Sequence, residues 1–498
     1  MAVYTPLRES AVFATTRTLA IRKTMLHAKI RPASKEYSMG LVRCAIPAGL
    51  SALILAGCGS LRGEGFLSDP ALPDSVPTVA TPRGALPAPT AKALMSRRWG
   101  ANYLDVSAVA ALEEQATSKP LIAGNKLILL YDGPQTMAAM IAAIKSATNH
   151  INLETYIFDQ DVVGIQFAEL LIAKQRAGVN VHVLYDAVGT VGTPEAFFQN
   201  MRDAGIQLQA FNPINPLKQN GQNAGWDPNH RDHRKILVVD GKVGFTGGVN
   251  ISSTYANSSL FRSKSRASSK IGWRDTHVQI EGPAVASLQW EFLNTWFALN
   301  ASTLVGSNFF PPLPKAGDTL VRVLASEPGG DQEIYRAHLL AIRSAKRSIH
   351  ITCAYFVPDE QVRQALSEAA LRGVEVRLVL PGVRESGPAF YAGRATYQRM
   401  LSDGVQIYEL QIAVLHAKTA VIDGVWSTVG SANMDTRSFL HNSELNVMVF
   451  DLAFAAAMED AFSEDLKSSK PVSLQQWSER PVAERIKEWL ASRFGYWL

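Results

Sequence analysis

Asp232-His233-Arg234-Lys235-Ile236-Leu237-Val238-Val239-Asp240-Gly241 decides the fold of this chain. A polar, cationic head runs into four aliphatic residues and stops at Asp-Gly, the pattern of a strand that ends in a tight turn. Side chains alternate faces along a strand, so His233 and Lys235 share one face and Asp240 has the opposite parity. An imidazole beside an ammonium suits a phosphate: one supplies a nucleophile or a proton, the other neutralises charge. On this parity Asp240 points away from a substrate and supports the pair from behind.

The stretch recurs. His416-Ala417-Lys418-Thr419-Ala420-Val421-Ile422-Asp423-Gly424 repeats the His-x-Lys-x4-Asp spacing, with Asp423 in the place of Asp240. Ten residues past each Asp an amide follows glycine: Asn250 in Thr246-Gly-Gly-Val-Asn250, Asn433 in Val429-Gly-Ser-Ala-Asn433. Backbone N–H groups and an amide side chain make a donor site for phosphoryl oxygens. Farther on, Asp275-Thr-His-Val278 matches Glu444-Leu-Asn-Val447. Asp275 and Glu444 are candidates to hold the histidines by accepting from the second ring nitrogen. The copies lie 183 residues apart at the motifs and 169 at these carboxylates, so the first carries an insertion of 14. One such motif among ten histidines is within reach of chance; two with the same downstream elements are not.

Working outward, the whole unit is duplicated. Ala143-Ile-Lys-Ser-Ala147 recurs as Ala341-Ile-Arg-Ser-Ala345 at the end of an amphipathic helix. A strand follows each, His150–Phe158 and Ser348–Phe356, then a helix closing in Gly178 or Gly373 and another strand. Strands alternating with helical patterns predict an α/β chain of two pseudo-symmetric mixed-sheet halves, helices on the outer faces and one active site at their interface. The boundaries read as 97–310 and 318–480, with motif regions at 228–255 and 411–438. Pro311, Pro312 and Pro314 make the joint between them.

The 498 residues suffice for two such halves; 47% hydrophobic and 19% charged residues exclude a disordered chain. A formal net charge of +5 favours anionic lipid or nucleic acid without choosing between them. Three cysteines, Cys44, Cys58 and Cys353, make neither a disulfide framework nor a zinc site. Cys353 reads as a packed thiol in a strand. No His/Asp cluster has metal spacing, and no cofactor is expected.

Behind Arg43 an apolar run, Cys44–Gly57, is too short to cross a bilayer comfortably and has the pattern of a secretory signal. It ends in Leu55-Ala56-Gly57-Cys58, which resembles a bacterial lipoprotein signal and implies lipidation of Cys58. Residues 1–57 are then leader and signal, and a start at Met39 would give the signal an ordinary length. The resemblance implies a lipid-anchored envelope protein facing the periplasm, the anchor being the lipidated Cys58. Six prolines between Pro70 and Pro89 predict an extended tether over 58–96.

The two motifs, with His230-Arg-Asp-His-Arg-Lys235, Trp273-Arg-Asp-Thr-His277, Gly430-Ser-Ala-Asn-Met-Asp-Thr-Arg-Ser438, Glu154 and Tyr156, resemble the phospholipase D superfamily, most of all its cardiolipin synthases. The resemblance covers about residues 120–480. It implies a duplicated phospholipase D-type fold and a phosphatidyltransferase acting on an anionic phospholipid such as phosphatidylglycerol. It also implies a two-step displacement, in which one histidine forms a phosphohistidine while the other protonates the leaving alcohol. His233, Lys235, His416 and Lys418 carry the chemistry, with Asp240 and Asp423 behind them. Pseudo-symmetry does not name the nucleophile; analogy points to His233. Hydrolysis by a phospholipase D or a nuclease is the competing reading, and the lipoprotein-type signal argues against nucleic acid as substrate.

Two regions stay open at this level. Arg262, Lys264, Arg266 and Lys270 sit in a serine-rich insertion that reads either as an anion-binding loop or as a solvated one. Residues 481–498 form an amphipathic helix and aromatic tail: Val482, Ile486, Trp489 and Leu490 share a face that docks on the domain or grazes a bilayer. Glu154 and Tyr156 read equally as core or site lining. His230 and His441 are expected at the rim of the site.

Overall fold

A computed structural model describes residues 76–215, 227, 229–256, 272–299, 304, 308–383 and 387–496. Cys58, residues 1–57 and the four cations of the insertion lie outside the described residues.

The duplication is visible strand by strand. In the first half, His150–Thr155 pairs in parallel with Asn180–Asp186, and that strand with Gln207–Phe211. On its other edge His150–Thr155 pairs antiparallel with the motif strand Ile236–Val239. Val243–Gly247, His277–Glu281 and Leu121–Leu130 follow, each antiparallel to the last. The second half repeats the order: Gln406–Leu410, Glu375–Pro381, Ser348–Cys353, Lys418–Ile422, Trp426–Gly430, Asn442–Phe450 and Thr319–Ser326. The halves join along the long strand Leu121–Leu130. Its first residues pair with Thr319–Ser326, whereas Lys126 to Leu130 pair with His277–Glu281.

Parallel pairs need crossovers, and helices supply them. Val162–Arg176 is capped by Asp161, which accepts from the N–H groups of Val163 and Gly164, both at 3.0 Å. Its counterpart Glu360–Leu371 is capped by Asp359 in the same way. Gly178 and Gly373, at φ +89° and +91°, turn the chain out of the two helices at positions that only glycine adopts at no cost. Period two along the first motif strand divides the core: Leu237 and Val239 pack under the outer helices, Ile236 and Val238 between the sheets. The middle layer adds Val285–Ala298 and Leu452–Lys467, one helix for each half. Cys353 is buried with Ile349 and Ile351 in the core of the second half, as expected of an inert thiol, and burial pushes it up to about 12.

The expected tether over 58–96 is corrected from Val79 onward. Val79–Thr81 pairs with Leu121–Leu130, and Ala88–Trp99 is a helix whose Met95 and Trp99 are fully buried. Pro87 and Pro89 start that helix, where a missing N–H costs nothing. Trp99 Nε1 donates to Phe450 O at 3.1 Å and ties the segment to the second half.

Both motifs end in the Asp-Gly turn expected of them, with φ near +52° and +64° at Asp240 and Gly241 and +53° and +64° at Asp423 and Gly424. The Asp carboxylates reach back to the loop before the neighbouring strand. Asp240 accepts from the N–H groups of Thr148, Asn149 and His150 at 2.7–3.2 Å. Asp423 accepts from Lys346, Arg347 and Ser348 at 2.7–3.0 Å.

Candidate active site

Each histidine is placed by a short parallel pairing between the two halves. Arg231–Asp232 lies beside Asn442–Ser443, and His233 N donates to Ser443 O at 2.9 Å, so the next residue along, Glu444, comes level with His233. Trp273–Arg274 lies beside Val414–Leu415, and His416 N donates to Arg274 O at 2.7 Å, which brings Asp275 level with His416. The orienting carboxylates are therefore exchanged. His233 Nδ1 is 3.0 Å from Glu444 Oε2, and His416 Nδ1 is 2.7 Å from Asp275 Oδ2. A carboxylate on Nδ1 puts the proton there and leaves Nε2 with its lone pair for chemistry. The site needs both halves at once.

Lys235 and Lys418 fold back so that each Nζ donates to the carbonyl of its own motif histidine, Lys235 at 2.5 Å. Lys418 Nζ also stands 3.0 Å from His416 Nδ1; with that nitrogen donating to Asp275, the ammonium is a neighbouring charge. Burial pushes the Lys235 ammonium down to about 7, Glu444 opposing and Lys418 adding to the fall. Burial, against the pull of Glu444, lowers His233; burial and then the Lys418 and Lys235 charges lower His416 well below the usual range. All four groups are almost completely buried. Burial thus holds both imidazoles towards the neutral form beside two lysines, a field that a phosphodiester anion relieves.

The supporting residues divide in ways the spacing did not show. Tyr156 lines the site, its ring edge-on to His233 at 5.1 Å and 5.3 Å from Lys235 Nζ. Glu154 does not reach it; buried, it lies 3.0 Å from Arg234 Nε, which also bonds Asp232. Asn250, expected as a phosphate donor, also braces the site: Oδ1 accepts from Ile157 N at 3.0 Å and Nδ2 donates to Tyr255 Oη at 2.7 Å. Asn433 Oδ1 accepts from Tyr355 N at 3.3 Å. Asp240 and Asp423, the last residues of the two motifs, are turned away to the strand-end loops described above, as their strand parity predicts. Asp275 and Glu444, expected to hold the histidines, touch them directly.

Tyr255, Trp273, Ser431 and Gly248 were not singled out as site residues. Tyr255 is fully buried with its ring 5.7 Å from His416, and Trp273 lies 4.9 Å from the same imidazole. Ser431 Oγ donates to Glu444 Oε2 at 2.5 Å. A Cβ on Gly248 would stand 2.1 Å from Asp275 Oδ1, so only glycine leaves room for that carboxylate. His230 and His441 sit at the rim, bonded to Ser443 Oγ at 2.9 Å and stacked edge-on to Tyr496.

The model of a phospholipase D-like domain of cardiolipin synthases matches residues 140–260 and 339–466, one match on each half. A cardiolipin synthase of Geobacillus sp. (strain WCH70) is 35% identical over 381 residues, 76% of this chain and 73% of the relative. One of Geobacillus kaustophilus (strain HTA426) is 36% identical over 373 residues, covering 74% and 72%. The crystal structure of phosphatidylserine synthase from Haemophilus influenzae Rd KW20 shares the fold, with a TM-score of 0.55 over 77% of this chain and 96% of that one, at 14% identity. The repeated motifs, the exchanged carboxylates and these matches place the chain in the cardiolipin synthase family of phospholipase D-type phosphatidyltransferases.

Proposed function

We propose that the chain joins two phosphatidylglycerol molecules into cardiolipin, releasing glycerol, through a phosphohistidine on His233. The observation that carries this reading is the pair of imidazoles, each with Nδ1 tied to a carboxylate from the other half, beside two buried lysines. His233 Nε2 attacks the phosphorus of the donor; the bond to the glycerol oxygen breaks, and His416, which the bound phosphodiester anion brings to its protonated form, gives that oxygen its Nε2 proton. Positive charge grows on the His233 ring as the bond forms, and Glu444 answers it. Burial alone would raise Glu444, but His233, Lys235 and Ser431 hold it below the ordinary carboxylate range. His416, now neutral, takes the proton of the acceptor's primary hydroxyl, which attacks phosphorus and frees His233. Lys235 and Lys418 neutralise the phosphoryl oxygens throughout.

The reading extends to place. Lipidation of Cys58 would anchor the chain to the envelope membrane, facing the periplasm, with the acidic phospholipid in reach. Mass spectrometry of the purified protein finds a diacylglyceryl Cys58 on this account; an unmodified thiol removes the anchor.

Incubating the full chain with phosphatidylglycerol vesicles tests the reaction. Cardiolipin and glycerol in equal amounts support transfer, phosphatidic acid indicates hydrolysis, and nicking of DNA with no lipid product contradicts the assignment.

A further inference from the structure

The last helix is inside out. Val482–Ser492 carries apolar residues at 482, 486, 489 and 490, a stripe that a surface helix ordinarily buries. Here the stripe faces outward: Val482 is 67% exposed, Ile486 53%, Trp489 56%, Leu490 51%, and Phe494 just beyond 59%. The inward side carries Glu484, Glu488 and Ala491. Glu488 is only 2% exposed. Arg480 clamps it, Nε and Nη2 donating to Oε2 at 2.9 and 2.7 Å, and Arg394 Nε stands 3.7 Å from Oε1. Both guanidinium groups lie on the Trp477 ring, at 4.3 and 4.8 Å. A buried ion pair adds little to stability and much to orientation. This one fixes the helix with its polar side in, against the gain that half a turn of rotation would bring.

Cations frame the exposed stripe. Arg493 lies over Trp489 at 5.0 Å, and Lys487 stands 5.4 Å from the Tyr391 ring. Aliphatic, aromatic and basic residues together are the composition of a helix lying in the interface of an anionic bilayer. Its place ties it to the site. The helix packs on Gly387–Arg394, which follows the carboxyl end of the strand Glu375–Pro381. Beyond the helix, Tyr496 stacks edge-on to His441 at 5.1 Å, and His441 O accepts from Arg231 N, two residues before His233. On the other half, Val162 and Val191, 81% and 74% exposed, stand just past the carboxyl ends of His150–Thr155 and Asn180–Asp186. Among the described residues no helix is long and apolar enough to cross a membrane.

We infer that Val482–Ser492 is an interfacial helix that seats the mouth of the site on an anionic phospholipid bilayer. This rests on the phosphatidyl-transfer reading above. The test uses the full chain with Cys58→Ser, which removes the lipid anchor, and the same chain carrying Ile486→Ser and Trp489→Ser in addition. Both added positions are exposed, and an unchanged melting curve verifies folding. Sedimentation with phosphatidylglycerol vesicles should show binding reduced about tenfold or more by the double substitution. Phosphatidylcholine vesicles should bind either chain weakly, and turnover of monomeric dihexanoyl-phosphatidylglycerol should be unchanged. Equal vesicle binding by the two chains overturns the inference, as does a substitution that splits a dimer in solution, which would make this face a contact between copies. If the short-chain lipid is not turned over by either chain, the phosphatidyl-transfer reading fails while vesicle binding still judges the helix.

Discussion

The two histidines occupy equivalent positions and unlike surroundings. Beside His233, Glu444 receives the Ser431 hydroxyl at 2.5 Å and the Asn442 amide at 3.1 Å, and stays below its usual range although burial opposes it. Beside His416, Asp275 has glycine where Glu444 has serine, and burial pushes it up to about 6 against the Lys418 charge and the Thr276 N–H. Duplication kept the positions while the copies specialised. On the proposed mechanism, the Glu444 side suits the imidazole that bears positive charge. Asp275, pushed up to about 6, suits the imidazole that gives and takes a proton.

The largest effects should come from the imidazoles themselves. His233→Ala and His416→Ala are each expected to lower transfer by at least about 10⁴-fold, but differently. The first should abolish covalent labelling by donor lipid; the second should still label, slowly, when the leaving alcohol is a good one such as p-nitrophenol. Rapid-quench labelling with a p-nitrophenyl phosphodiester checks this, and equal loss of labelling in both variants would erase the division of roles.

Next come the carboxylates. Glu444→Gln removes the charge that answers the covalent intermediate and should cost about 10³-fold, Asp275→Asn about 10²-fold, both in kcat. pH separates them further. Ionised Asp275 is needed and is lost as pH falls through about 6; cationic Lys235 is needed and is lost as pH rises through about 7. The kcat/KM profile should therefore be a narrow bell. Lys235→Arg, whose guanidinium keeps its proton, should remove the alkaline limb while lowering the plateau. An alkaline limb that stays in place excludes Lys235 as its origin.

Exchanging the neighbours probes the asymmetry more gently. Ser431→Gly should lower kcat about tenfold through loss of one charge-assisted bond to Glu444. Gly248→Ser places a Cβ on the Asp275 carboxylate, so it should cost more, about 10²-fold, and melt earlier. Smallest in activity are Asp240→Asn and Asp423→Asn. Each weakens the clamp on a strand-end loop by about 1–3 kcal/mol, read by denaturant unfolding, with kcat of the folded protein within about twofold.

Much of this could be read from the chain because two periodic signals agreed. Strand parity separated His233 and Lys235 from Asp240, and the repeat made each reading count twice. The pairing of Asp275 and Glu444 with the histidines was also legible as chemistry. Its exchange between halves was not: spacing along the chain carries no information on which copy a strand lies beside, and the pairings Arg231–Asp232 with Asn442–Ser443 and Trp273–Arg274 with Val414–Leu415 are long-range. The spacing that marked Asn250 did not show that Oδ1 would accept from Ile157 N or that Nδ2 would donate to Tyr255 Oη, because both partners are set by packing. The prolines before residue 90 looked like a tether, yet Pro87 and Pro89 open a helix. The C-terminal stripe was evident, but amphipathicity defines a face without saying which way it looks; Glu488 and Arg480 decide that.

On the proposed mechanism His233 becomes phosphorylated while Glu444 of the other half holds its ring. Donor lipid labelled in the phosphate, mixed with the full chain and quenched in alkali after a single turnover, gives the direct reading by peptide mass spectrometry. The expected result is an acid-labile, alkali-stable adduct on the peptide bearing His233, absent from His233→Ala and reduced in Glu444→Gln. An adduct on His416, or turnover with no adduct on either histidine, would contradict it.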